Sequence, residues 1–175
     1  RSIDETGLQL SPLRRRSWAK RGCRPILRQL AGARKRVSVI AALTLSPKTL
    51  LRNLFFQTLI DGTFDSTRIA AFLRDLLKHL RGKIIVVWDN GPMHKGPAIR
   101  KLLKRNPRLT VEHLPPYAPE LNPVEALWSH LKYGYCANLI ANDLNQLDDE
   151  TMNFLMDTKL DQKNFPFLFT AVYAE

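Results

Sequence analysis

Ile84-Ile85-Val86-Val87-Trp88-Asp89-Asn90-Gly91-Pro92 is the stretch from which the fold can be read. Its first five residues are apolar without a break, and most are β-branched. That pattern predicts a strand buried on both faces, as in parallel pairs flanked by helices. Asn90-Gly91-Pro92 then signals a turn. Asp89 stands between strand and turn, at the kind of strand end where ligands bind in open α/β sheets. Asp-Asn-Gly-Pro is also good turn chemistry in its own right, so position alone leaves two explanations of Asp89 open.

Upstream, Ile69, Phe72, Leu73, Leu76, Leu77 and Leu80 recur at helical spacing and form one apolar stripe. Asp65 or Ser66 can cap this helix, and Gly82 suits its end. Three extended segments precede it: Arg1–Leu10, Val37–Leu45 and Leu51–Ile60, broken by Ser46-Pro47-Lys48 and closed by Asp61-Gly62. They read as an antiparallel meander. The connection 11–36 is too long for a hairpin, and such loops are usually functional or disordered.

Downstream, Pro97–Arg105 reads as a helix with Pro97 near its first position and Asn106-Pro107 as its stop. Leu109–Leu114 is a short strand, and Asn122–Leu131 and Asp143–Leu160 are further helices. Phe165–Tyr173 is an apolar tail. The order is β-β-β-α-β-α-β-α plus a C-terminal helix. It predicts an α/β fold with a mixed five-stranded sheet and helices on both faces. This is the order of elements in the ribonuclease H-like fold.

A chain of 175 residues, 45% hydrophobic, suits a single domain over 1–175. Residues 11–36 would be a long basic insertion and 140–175 an acidic C-terminal addition. No apolar run approaches the roughly 20 residues of a membrane span, and no signal-peptide pattern opens the chain. No membrane partner is expected. Cys23 and Cys136 cannot form a disulfide framework and read as reduced, structural thiols. The chain starts at Arg1, three residues before Asp4, so the sequence is expected to be a fragment of something longer.

The net charge is +11, unevenly spread. Residues 1–36 hold 11 Lys/Arg against 2 acids, whereas 140–175 hold 2 against 7. Arg14-Arg15-Arg16, Lys20-Arg21, Arg24, Arg28 and Arg34-Lys35-Arg36 concentrate the excess. Like charges at this density repel unless a polyanion neutralises them, which points to a phosphate backbone; a solvated arm is the alternative.

Carboxylates supply the chemistry. Asp89 ends a strand. Glu125 lies in the first turn of a helix, and Asp4 and Glu5 lie on the first strand. Asn122, Pro123 and Glu125 spell N-cap, N1 and N3 of a capping box, which by itself could account for the glutamate. Helical spacing puts Glu125 on the flank of the stripe Val124, Leu127, Trp128 and Leu131, so it could also face a cleft. Asp4 and Glu5 must point to opposite faces, and spacing does not choose between them. Three carboxylates on separate elements suit two divalent ions roughly 3.5–4 Å apart, which activate the attacking oxygen of phosphoryl transfer and stabilise the leaving one. Hard oxygen donors select magnesium or manganese; no CxxC or HxxxH spacing supports zinc. His94 follows Asp89 closely enough to touch substrate or ligand oxygens; a packed or surface histidine is the alternative.

Four segments carry a resemblance: Ile3-Asp4-Glu5-Thr6-Gly7, Trp18-Ala19-Lys20-Arg21-Gly22, Trp88–His94, and Leu114–Lys132 with its run Pro115-Pro116-Tyr117-Ala118-Pro119-Glu120-Leu121-Asn122-Pro123-Val124-Glu125. Over roughly Arg1 to Lys132 the chain resembles the catalytic domain of the DDE transposases, in particular the bacterial insertion-sequence branch of the mariner superfamily. The resemblance maps the catalytic and metal-binding triad onto Asp4, Asp89 and Glu125, choosing Asp4 over Glu5. It matches the spacing of the last two, with 35 residues between Asp89 and Glu125. It implies Mg2+ (or Mn2+) as cofactor, two ions, cleavage at transposon ends and strand transfer by a 3′-hydroxyl. It also implies double-stranded DNA as partner, TA targets, a homodimer on DNA, and a cytoplasmic, DNA-associated location, in the nucleoid if bacterial. Arg14, Arg15, Arg16, Lys20, Arg21, His94 and Lys132 are the candidate DNA contacts. Members usually carry N-terminal helix-turn-helix domains, which do not occur in this sequence. Two other readings stand beside this one: another ribonuclease H-like nuclease, such as a junction resolvase or RNA-cutting enzyme, and a catalytically inactive, domesticated DNA-binding protein.

Overall fold

The computed structural model describes residues 1–161 except 12, 17, 24–34, 48, 50–51 and 117. Strands β1 (Ser2–Gln9), β2 (Arg36–Leu45), β3 (Arg52–Ile60), β4 (Ile84–Trp88) and β5 (Leu109–His113) form one sheet in the order β3-β2-β1-β4-β5. The first three strands pair antiparallel, whereas β1–β4 and β4–β5 are parallel. The α/β ribonuclease H-like architecture expected from the element order is therefore present. The tail Phe165–Tyr173 and the basic residues Arg24, Arg28 and Arg34 lie outside the described residues.

Alternation along the strands divides the interior in two. On one face Ile3, Ile40, Ala42, Ile84, Val86 and Trp88 meet α1 (Ser66–His79) and α2 (Pro97–Arg105). On the other, Leu8, Val37, Val39, Ala41 and Leu43 meet α3 (Pro123–Ser129) and α4 (Leu144–Leu160). β2 is buried on both faces because helices cover it from each side. Strand β4 is not, contrary to the expectation from its apolar run. Ile85 is 55% exposed, because α3 and α4 lie over the β1–β2–β3 half of the sheet.

Local chemistry explains the element ends. Asp65 accepts hydrogen bonds from the amides of Thr67 and Arg68 at the start of α1. The helix stops at Leu80, two residues before the expected glycine, and the Arg108 guanidinium binds the carbonyls of Leu77, Leu80 and Gly82. A cation at a helix C-terminus satisfies orphan carbonyls and complements the helix dipole. Gly96 sits where a Cβ would fall 2.3 Å from the Ser66 Cβ, so glycine lets the start of α2 approach the start of α1.

α3 is shorter than the expected helix to Leu131: it gives way after Ser129 to one π-helical stretch, His130–Tyr135. α4 is capped by Asp143, which accepts from the Gln146 amide at 2.8 Å. Through Leu144, Leu147 and Leu155 it is part of the core, with Asp149 and Asp157 exposed. The first part of the acidic segment is thus a structural helix of the domain.

Candidate active site

Asp4 lies at the middle of the sheet. Its side chain leaves β1 on the α3 face, where the Trp128 indole Nε1 donates a 3.0 Å hydrogen bond to Oδ2. Only 9% of the residue is exposed. Burial, and then the charge of Glu125, push its carboxyl up to about 7, outweighing the hydrogen bonds that favour the anion. Asp4 and Glu125 therefore feel each other across the β1–α3 contact. Among the described residues neither forms an ion pair with a lysine or arginine.

The geometry of α3 removes the capping explanation of Glu125. Asn122 caps with its own side chain, accepting from the Val124 amide at 3.3 Å. The Asn122 amide, which a capping box would offer to Glu125, goes instead to the Pro119 carbonyl at 2.9 Å. Glu125 is exposed, and its carboxylate is not spent on the helix end.

Asp89 is held differently. Strand β4 runs beside β1 in parallel, with Ser2 opposite Val87, so Asp89 falls opposite Asp4 just past the strand end. Its Oδ1 accepts from the Gly91 amide at 2.8 Å and lies 2.7 Å from His94 Nδ1. His94 Nδ1 also faces the Asp89 carbonyl at 3.2 Å, and its Nε2 faces the Glu5 carboxylate at 3.1 and 3.3 Å. Burial lowers the His94 pKa, but the hydrogen bond and charge of Glu5, with the Asp89 charge, outweigh it and raise the value overall. His94 is 3% exposed and stacked on Trp88, so it is placed against Asp89 and not at the expected DNA surface.

The donor set fits a hard divalent cation in its chemistry, since all three candidates are carboxylates and two of them repel without a protein cation between them. The site is not a closed cage. Among the described residues no three His, Cys, Asp or Glu side chains stand together as ligands of one ion. Asp4 and Glu125 form one pair, and Asp89 stands on the neighbouring strand end, turned to His94.

A family model of the DDE superfamily endonucleases matches residues 1–148. The chain belongs to this family. Solved structures agree on the fold. A pre-cleavage Mos1 transpososome superposes with a TM-score of 0.69 at 18% identity, covering 98% of this chain and 51% of that one. A Mos1 mariner paired-end complex with Mn gives 0.66 at 18% identity, covering 99% and 51%. The catalytic domain of Mos1 mariner transposase gives 0.58 at 12% identity, covering 99% and 76%. The chain thus spans about half the length of the Mos1 chains in the two complexes. No curated protein matches the sequence significantly.

Around the candidate site the basic residues differ in what they touch. Arg14, Arg16, Lys20 and Arg21 are exposed, the last two beside a turn closed by the Cys23 amide on the Lys20 carbonyl at 2.9 Å. Arg15 is drawn onto the protein: its guanidinium bonds the Tyr133 carbonyl at 3.1 Å and lies 5.2 Å from the Tyr133 ring centre. Leu13 bridges to Ala137, so the start of the long connection is tied to the chain just after the π-helical stretch. Lys132 is half-buried and lines a cleft of about 410 Å³ with Gly7–Leu10, Tyr133 and Cys136. Burial, then Glu150, push the Cys136 thiol up to about 11, as for an inert structural cysteine. Cys23 is exposed, which corrects its assignment as a structural thiol. No described helix is long and apolar enough to cross a membrane.

Two functional contacts were not anticipated. Trp128 was read as core alone, and Glu5 as a rival of Asp4. The signal for Glu5 was its neighbour: alternation puts it on the face opposite Asp4, where His94, a few residues past β4, meets it.

Proposed function

We propose that this chain is the catalytic part of a transposase, cutting DNA at transposon ends and joining the freed 3′-hydroxyl to target DNA. The observation that carries the reading is the Asp4–Glu125 pair, a buried carboxyl raised to about 7 beside a second carboxylate, with Asp89 at the adjacent strand end. Asp4, Asp89 and Glu125 would hold Mg2+ or Mn2+, two ions in the full site. Bound there, the ions supply Lewis acidity toward a phosphodiester and lower the pKa of the attacking water or hydroxyl. Trp128 orients Asp4 and keeps water from one side of it. Arg14, Arg16, Lys20 and Arg21 would take the phosphate backbone, with Lys132 deeper at the cleft. The resemblance to mariner elements supports a homodimer on DNA and TA targets, and one relative of the same fold was captured with Mn.

The test is a nicking assay on duplexes carrying the element's own ends, with and without Mg2+, for wild type and Asp89→Asn. Cleavage that needs the metal and is lost in Asp89→Asn is expected. Cleavage persisting in chelator, or in Asp89→Asn, overturns the assignment. Metal-dependent cutting confined to RNA or branched junctions would move the protein to another nuclease class.

A further inference from the structure

We propose that His94 and Glu5 are positioning residues that fix the Asp89 carboxylate, committing its Oδ1 to the protein and leaving Oδ2 for a cation. The inference rests on the reading of Asp89 as a metal ligand.

The arrangement is over-determined for simple packing. The His94 ring lies flat on Trp88, with centroids 4.4 Å apart and planes 6° apart, which sets its orientation. Within that plane both nitrogens face oxygens: Nδ1 is 2.7 Å from Asp89 Oδ1, and Nε2 is 3.1 Å from Glu5 Oε2. A buried ring with two polar atoms is costly unless both are partnered, and an aliphatic residue would fill the same space without that cost. Gly91 completes the clamp. Its amide donates to Oδ1 at 2.8 Å, and a Cβ there would fall 3.0 Å from Oδ1 and 3.5 Å from His94 Nδ1. Among the described residues Oδ2 has no hydrogen bond, and the side chain is 58% exposed.

One strand serves both halves of the site. β1 sends Asp4 to the α3 face and Glu5 to the opposite face, where Glu5 reaches Asp89 through His94. Groups that hold a ligating carboxylate from behind tune metal affinity, and losing one typically costs about 10- to 100-fold.

The experiment is calorimetric titration of the DNA-free protein with Mn2+, with melting curves on the same samples. His94→Leu keeps an apolar group on Trp88 but removes both nitrogens; His94→Asn keeps a donor near the Nδ1 position. His94→Leu should weaken Mn2+ binding about 10- to 100-fold. His94→Asn should recover much of it, and adding His94→Leu to Asp89→Asn should cost nothing further. A role in packing alone would shift melting without this coupling. Should His94→Leu fail to fold, Glu5→Gln, which preserves size, carries the test through a smaller loss of affinity. Wild-type affinity in the folded His94 or Glu5 variants, alongside its loss in Asp89→Asn, overturns the positioning role and leaves the ligand reading standing. Full affinity in Asp89→Asn itself overturns both.

Discussion

Trp128 Nε1 donates to Asp4 Oδ2 at 3.0 Å, joining residues 124 positions apart. The bond places the indole edge, not just its apolar face, at the centre of the domain. It also supplies a side-chain donor to a carboxyl that is otherwise pushed toward its neutral form by burial and by Glu125.

Trp128→Phe keeps the ring in the core and removes the donor. A buried polar group left without its partner costs about 1–3 kcal/mol. Urea denaturation should show a loss of that order at neutral pH in metal-free protein, and Mn2+ should bind more weakly. Wild-type stability in Trp128→Phe would mean that water replaces the indole.

Asp4 also predicts an unusual pH dependence. Unfolded, it titrates at its ordinary 3.8; folded, at about 7. Between these values the folded chain holds a proton that the unfolded chain has released. The stabilisation from that proton is present at low pH and is lost as pH rises toward about 7. From about pH 5 to about pH 7.5, metal-free wild type should therefore lose more stability than Asp4→Asn. Parallel pH profiles of melting temperature for the two proteins would count against the raised value.

Glu125→Gln separates ligand from cap more cleanly than helix propensity would suggest. Asn122 and the Pro119 carbonyl already satisfy the start of α3. The variant should therefore melt no lower than metal-free wild type, since it also removes a charge that opposes Asp4, yet lose metal-dependent cleavage by orders of magnitude. Full cleavage in Glu125→Gln would remove it from the site.

The arginine triplet should act on DNA affinity unequally. Each phosphate contact contributes a slope of about −0.9 to the logarithmic salt dependence of duplex binding. Replacing Arg14, Arg15 and Arg16 with alanine should flatten the slope by roughly 2–3 units if all three contact phosphate, and by less if Arg15 stays bonded to Tyr133 on DNA. Anisotropy across a salt series measures it, with similar weakening expected on any sequence. An unchanged slope would move the DNA path elsewhere, with the exposed Arg100, Lys101, Lys104 and Arg105 of α2 next to be tested.

Local physics made much of this protein legible without coordinates. The stripe from Ile69 to Leu80, a cap at Asp65 or Ser66, and the run Ile84–Trp88 set element type and order, because backbone hydrogen bonding and periodic burial are properties of neighbouring residues. The same sequence offered Asp89 at a strand end and Glu125 in the first turn of a helix, while the choice of Asp4 over Glu5 came from the family resemblance. What covers each sheet face was decided only in three dimensions, so Ile85 is exposed within a run that reads as buried. The fate of the Asn122 amide, taken by Pro119, depended on a preceding turn whose path no periodicity records. The Glu5–His94–Asp89 chain and the Trp128–Asp4 bond arise because the parallel pairing of β1 with β4, and the packing of α3 on β1, bring distant residues within hydrogen-bonding reach. Such contacts depend on sheet order and register, and a one-residue slip of β1 would exchange the faces taken by Asp4 and Glu5.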